Sequence, residues 1–322
     1  MASDRGDRSE LRLDEEERRW LHRVRAADSL AELRTITGAD SEHDAYIEAK
    51  PTWELLRDRE LGEPSPTGDI PGDRVTVEGQ PFHVHGITHA DTAAERAFLR
   101  EHVSTFLADG AVVHCEQGIR PMYFDDFDRV TEVDDYRWAM YHCRQLDISS
   151  HIDGIIEETF EEGSGVAENV RSAASQFREV AFSLIDSGSD VYGDTFAAAL
   201  GDVASAFLID HEHLATGEDF RSHEISQAVA QDPSRLAELQ HYYNRVFLPQ
   251  PLEREWLRRH DVELELFTHA RNERIAAWVL YHAAGTQPVH ILVGAAHQPG
   301  VTYYLDAYRE GRWDYGEFEL VP

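Results

Sequence analysis

The chain has 322 residues, with 61 acidic side chains against 30 basic ones and a formal net charge of −31. That length supports one large or two small domains around a substantial core. The charge excludes phosphate-backbone recognition, because nucleic-acid binding needs a basic patch and none is visible.

Residues 1 to about 70 are charge-rich, and Leu11, Leu13, Trp20, Leu21 and Val24 give an intermittent apolar face, which predicts an acidic helical N-terminal arm. A Pro/Gly-rich connector follows from Gly62 to Gly72. Arg74 to His85 reads as a hairpin turning near Glu78-Gly79. The apolar run Phe82-His83-Val84-His85 should stop as a strand at Gly86 and hand Ile87-Thr88-His89 to a loop. Asp91 or Thr92 can cap a helix to about Ala108, and Ala111 to Cys115 is then a second strand, followed at once by Glu116. Strand, helix and strand of these lengths form a βαβ unit with parallel strands. From about 134 to 245 the chain reads as a large helical insert, with one helix marked by Phe177 to Ile185 and another by Phe196 to Leu208. A helix from about Glu265 to Ala283 leads into the strand Val289–Val293, which ends at Gly294-Ala295-Ala296-His297. Pro299 starts a last helix, and Tyr315 to Val321 alternates like an edge strand. The fold class expected is α/β (α+β): a central mixed sheet built from both ends of the domain 71–322, with the helical insert between them.

Lys50 is the only lysine, and the acid is spread along the chain instead of gathered in one tail. Carboxylates keep such a surface hydrated in concentrated salt, where the Debye length falls to roughly 3 Å at 1 M, so a salt-adapted protein of a high-salt cytosol is expected. Cys115 and Cys143 are the only cysteines, and Met-Ala-Ser-Asp-Arg has no apolar signal core. No stretch approaches the roughly 20 apolar residues of a membrane span. The expectation is a cytoplasmic protein with reduced thiols, no membrane span and no nucleic-acid partner; oligomeric state is left open.

Three side chains fall at predicted strand ends: His89, Glu116 and His297. Loops at the carboxyl ends of strands are where α/β sheets bind ligands. Two neutral imidazoles and a carboxylate suit a divalent transition metal, which can turn a bound water into a nucleophile near neutral pH. One GxxH alone means little; a pair at strand ends, with a strand-end Glu beside the first, means more. His83 and His85 share a strand face but lie well before the strand end, and with His290 they read as core histidines or as supports behind the site. His211-Glu212-His213 reads as surface, since alternate helical residues do not share a face.

At these residues the chain resembles the TraB/TIKI group. The segments that carry the resemblance are Phe82 to His89, Val112 to Glu116, the Arg271-Asn272-Glu273 helix and Val293 to Gly300, spanning roughly residues 73–120 and 263–321. That group includes pheromone-shutdown proteins and Wnt-cleaving metalloproteases, and is distantly related to erythromycin-esterase and ChaN-like proteins. The resemblance implies a divalent-metal-dependent hydrolase (Mn, Co or Zn) acting on a peptide or small-molecule substrate. It makes His89, Glu116 and His297 the metal ligands. Glu116, Arg271 and Asn272 would be catalytic, Arg271 by stabilising a developing oxyanion. Ile87 departs from the group, in which Thr usually follows the first glycine. The alternatives are a metal-independent esterase-like hydrolase, or a pheromone-shutdown-like protein that captures a signal peptide without cutting it.

Overall fold

The computed structural model describes residues 13–66, 68–146, 221–283 and 285–321. The helices expected around Phe177 and Phe196, and the His211-Glu212-His213 cluster, lie outside the described residues. Three helices open the described residues: α1 (Glu15–Arg25), α2 (Leu30–Thr37) and α3 (Glu42–Leu61). Each begins on a side chain that takes up an orphan backbone N–H, Asp14 in a capping box with Glu17, then Ser29 and Ser41. These helices share a core with α9 (Gln250–His260): Leu21, Val24, Leu33, Tyr46 and Trp53 pack with Leu252, Trp256 and Leu257. Inside that core Lys50 Nζ lies 2.6 Å from Glu253 Oε1 and 3.1 Å from the Val246 carbonyl oxygen, so the chain's only lysine is buried.

The sheet among the described residues has five strands in the order β1-β2-β5-β3-β4. β1 (Asp73–Val77) and β2 (Gln80–Ile87) form the expected antiparallel hairpin, turning through Glu78 and Gly79 at φ +49° and +87°, the sign pattern of a type I′ turn. All other neighbours are parallel: β2 with β5 (Val289–Gly294), β5 with β3 (Val112–Cys115), and β3 with β4 (Val130–Glu132). The fold is therefore mixed α/β. Helix α4 (Ala93–Ala108) makes the crossover from β2 to β3, and its cap is Thr92, whose hydroxyl accepts from the Glu95 amide at 3.1 Å. The two strands it joins are parallel but not adjacent, because β5 inserts between them.

Helices cover both faces. Leu99 and Val103 of α4 pack with Ile119 of α5 (Ile119–Tyr123) and with Leu236 and Leu239 of α8 (Leu236–Val246) over Ile87, Val113, Cys115 and Leu292. Ile275 and Val279 of α11 (Arg271–His282) and Val301 and Leu305 of α12 (Gln298–Arg309) cover Val84, Ile291 and Val293. Each such fully buried aliphatic side chain stabilises the fold by about 1.5–3 kcal/mol. The described parts of the middle segment are helical: α6 (Asp135–Leu146), α7 (Arg221–Gln231) and α8. A short α10 (Val262–Glu265) runs through a π-helical turn, Leu266–Ala270, directly into α11.

Two expectations are corrected. β2 does not stop at Gly86; it continues through Ile87, with Gly86 paired to Val293. The glycine is needed there for close approach, since a Cβ would lie 2.6 Å from Gln298 Oε1 and 2.8 Å from Ala295 Cα. Residues 315–321 form no strand. Arg274 and Asp134 hold that segment instead, through the Glu319 carbonyl at 2.8 Å and the Val321 amide at 3.3 Å.

Candidate functional site

The carboxyl ends of four parallel strands deliver the site. His89 follows β2, Glu116 follows β3, Asp135 follows β4, and His297 follows β5. Glu116 is at the centre and buried. His89 Nε2 lies 3.5 Å from Glu116 Oε2, and His297 Nε2 lies 3.7 Å from Glu116 Oε1. These are ion-pair separations, slightly too long for direct hydrogen bonds. The three residues picked out at strand ends thus converge on one another.

Glu116 is held by two donors at 2.6 Å: the Arg271 guanidinium on Oε1 and the Gly294 amide on Oε2. Arg271 in turn reaches Asp135 Oδ2 through Nε at 2.8 Å and the Phe267 carbonyl through NH1 at 3.1 Å, with its guanidinium over the Tyr136 ring. Asp135 is wholly buried and also accepts from the Gln117 amide at 2.9 Å. Arg271 is therefore enclosed by two carboxylates, a setting that suits a counter-charge for Glu116 more than a free donor for an oxyanion.

The two histidines are anchored differently. Thr88, Ala90 and Asp91 all direct their amides at Glu95, which also accepts from the hydroxyls of Thr88 and Tyr123. This knot fixes the loop carrying His89, whose own φ is +59°. His297 instead precedes α12, and its Nδ1 lies 2.7 Å from Asn272 Oδ1. Asn272 can lie there because residue 300 is glycine, where any Cβ would overlap its side chain.

Electrostatics separate the groups. Burial works to raise the Glu116 pKa, but the groups around it, His297 first, then Arg271 and His89, hold it well below the ordinary carboxylate range. Because burial pushes His297 itself down to about 3, His297 is neutral at pH 7, and the lasting positive charge beside Glu116 is that of Arg271. Burial also pulls on His89, yet the Glu116 charge, followed by that of Glu95, leaves its pKa raised. Its side chain is 31% exposed, so solvent screens part of that effect. Asp135 is pushed up to about 6, by burial first and by the nearby Glu116 charge, against the pull of Arg271.

The donor types fit a divalent ion. Asn272 takes one nitrogen of His297 and leaves the other toward Glu116, an arrangement typical of histidine ligands. Each Glu116 oxygen also has acceptor capacity beyond its one bond at 2.6 Å. Among the described residues no three His, Cys, Asp or Glu side chains stand in ion-holding geometry, so the fit is one of donor chemistry.

His83, His85 and His290 lie elsewhere on the sheet and stack on one another, with His85 Nε2 2.9 Å from His290 Nδ1. Sequence reasoning missed Glu95 and Asp135. Comparison with protein-family models, with curated proteins and with solved structures finds no match. No helix among the described residues is long and apolar enough to cross a membrane.

Proposed function

We propose that this chain is a hydrolase of the TraB/TIKI type, acting on a peptide or small-molecule substrate. The observation that carries the reading is the meeting of His89, His297 and Glu116 at the carboxyl ends of three neighbouring parallel strands. His89, His297 and Glu116 would hold a divalent ion (manganese, cobalt or zinc), and such an ion supplies an activated water at neutral pH. The protein's own residues do the rest. Asn272 fixes the His297 ring, the Gly294 amide and Arg271 fix Glu116, and Glu95 fixes the loop of His89. The setting we assign is a salt-rich cytosol, in keeping with the dispersed acid and with two free cysteines.

A metal-independent hydrolase is the second reading, favoured by the opposite pKa shifts of the two histidines. Paired groups pushed apart in this way are what an acid and a base require. One histidine would act as general base toward water, with Glu116 orienting its ring or raising its basicity, and the same ring would hand that proton to the leaving group.

Metal analysis of protein purified in high salt, with His89→Ala and His297→Ala alongside, tests the first reading. We expect bound metal in the native protein and its loss in both variants; metal content indifferent to both substitutions would sink it. Ester or peptide hydrolysis that survives exhaustive chelation selects the second. A folded, metal-loaded protein that binds one peptide tightly and cuts nothing in a peptide library would make it a capture protein.

A further inference from the structure

A buried hydrogen-bond chain runs away from the site behind His297. Asn272 Nδ2 donates to Gln250 Oε1 at 3.0 Å, and His269 Nδ1 lies 3.3 Å from the same oxygen. All four residues are nearly or fully inaccessible: Gln250 is 3% exposed, Asn272 1%, His269 2% and His297 8%. The π-helical turn before α11 puts His269 three residues ahead of Asn272, and α9 brings in Gln250 from the other side.

An amide side chain can rotate by half a turn with little change in shape, exchanging donor for acceptor. What prevents it is the set of partners at each end. Gln250 Oε1 accepts from Asn272 Nδ2 and lies beside His269 Nδ1; with the His269 proton on Nδ1 that oxygen takes two donors, and Asn272 then presents its Nδ2 to Gln250 and its Oδ1 to His297. His297 then carries its proton on Nδ1 and keeps a lone pair on Nε2, the nitrogen facing Glu116. Turning the whole chain over would place the proton on Nε2 and close the site to a ligand or a proton acceptor role.

We infer that Gln250, backed by His269, is a positioning residue that selects the His297 tautomer. The inference rests on the reading of His297 as a working member of the site, but its direct readout does not involve turnover. The experiment is nitrogen NMR of histidine-labelled full-length protein in high salt at pH 7.5. The His297 signals are assigned by their loss in His297→Gln, and the native protein is compared with Gln250→Met, Gln250→Glu and His269→Phe.

The native ring should show protonated Nδ1 and bare Nε2. Gln250→Glu keeps the acceptor and should keep that tautomer. Gln250→Met removes it and should populate protonated Nε2, with His269→Phe giving a smaller shift the same way. Where hydrolysis is measured, kcat should fall about tenfold or more in Gln250→Met with KM little changed, and recover in Gln250→Glu, the range usual for groups that orient a histidine ligand. An unchanged His297 tautomer in folded Gln250→Met overturns the inference. Should that variant not fold, a switched tautomer in Gln250→Glu, or none in His269→Phe, overturns it equally. If the tautomers behave as expected and no substrate is cut, the hydrolase reading fails and this one stands.

Discussion

His89 and His297 meet the same carboxylate from neighbouring strand ends, yet the fold grips one by its backbone and the other by its ring. The His89 loop is tied down by amides converging on Glu95, and its φ of +59° is a left-handed conformation that costs a non-glycine residue about 1 kcal/mol or more. His297 has ordinary helical backbone angles at the start of α12, and its Nδ1 is clamped by Asn272. The side chain of His89 is 31% exposed and that of His297 10%. The comparison separates a member held through the backbone of its loop from one held through its ring by the buried amide chain.

Removing the shared partner should do the most damage. Glu116→Ala leaves Arg271 buried with Asp135 as its remaining carboxylate, and breaking a buried pair in this way costs about 3–5 kcal/mol. Denaturant titration in constant high salt measures it; a loss under 1 kcal/mol would mean that Asp135 alone suffices to hold the Arg271 charge. Next comes Glu95→Ala, which strips an acceptor from three backbone amides and should cost about 2 kcal/mol or more. Hydrogen exchange should show residues 88–91 losing protection while 297–301 keep theirs. Equal loss in both segments would erase the distinction between the two anchors.

The histidines should also respond to pH with opposite sign. The His297 pKa is depressed from 6.5 to about 3 in the folded protein. The unfolded chain therefore takes up that proton first. The stabilisation is complete above the ordinary value and is lost as pH falls toward 3, by up to about 1.4 kcal/mol per pH unit. His85, His114, His269 and His290, all depressed by burial, add to the same acid limb. The His89 pKa is raised, so its contribution is complete below its ordinary value and is lost as pH climbs through the raised one. His297→Gln should flatten the acid side of the stability profile and His89→Gln the alkaline side; profiles altered the other way round would reverse the assignment. The smallest effect belongs to Thr92→Ala, which removes the α4 cap just after the His89 loop and should cost about 1 kcal/mol by thermal unfolding.

Local chemistry made much of this legible in the sequence. Glu78-Gly79 announced its turn, Thr92 its helix, and the runs ending near Gly86 and Gly294 their strands. The site trio was readable because strand ends are where an α/β sheet exposes functional groups. Strand order was not: β5 comes from the far end of the chain and wedges between β2 and β3, a choice made by long-range packing. Tyr315 to Val321 alternates like a strand but docks through Arg274 and Asp134, because alternation cannot say whether a neighbouring edge is free. Glu95 and Asp135 were hidden by abundance, being two among 61 acidic residues that look alike until burial singles them out.

The burial of Lys50 against Glu253 has a practical consequence. In the native fold no lysine amine faces solvent, so acylating reagents aimed at that group will find no lysine to modify until the core between α3 and α9 opens. The rate at which Lys50 becomes acylated is therefore a single-site clock for that opening, readable by mass spectrometry in any salt concentration.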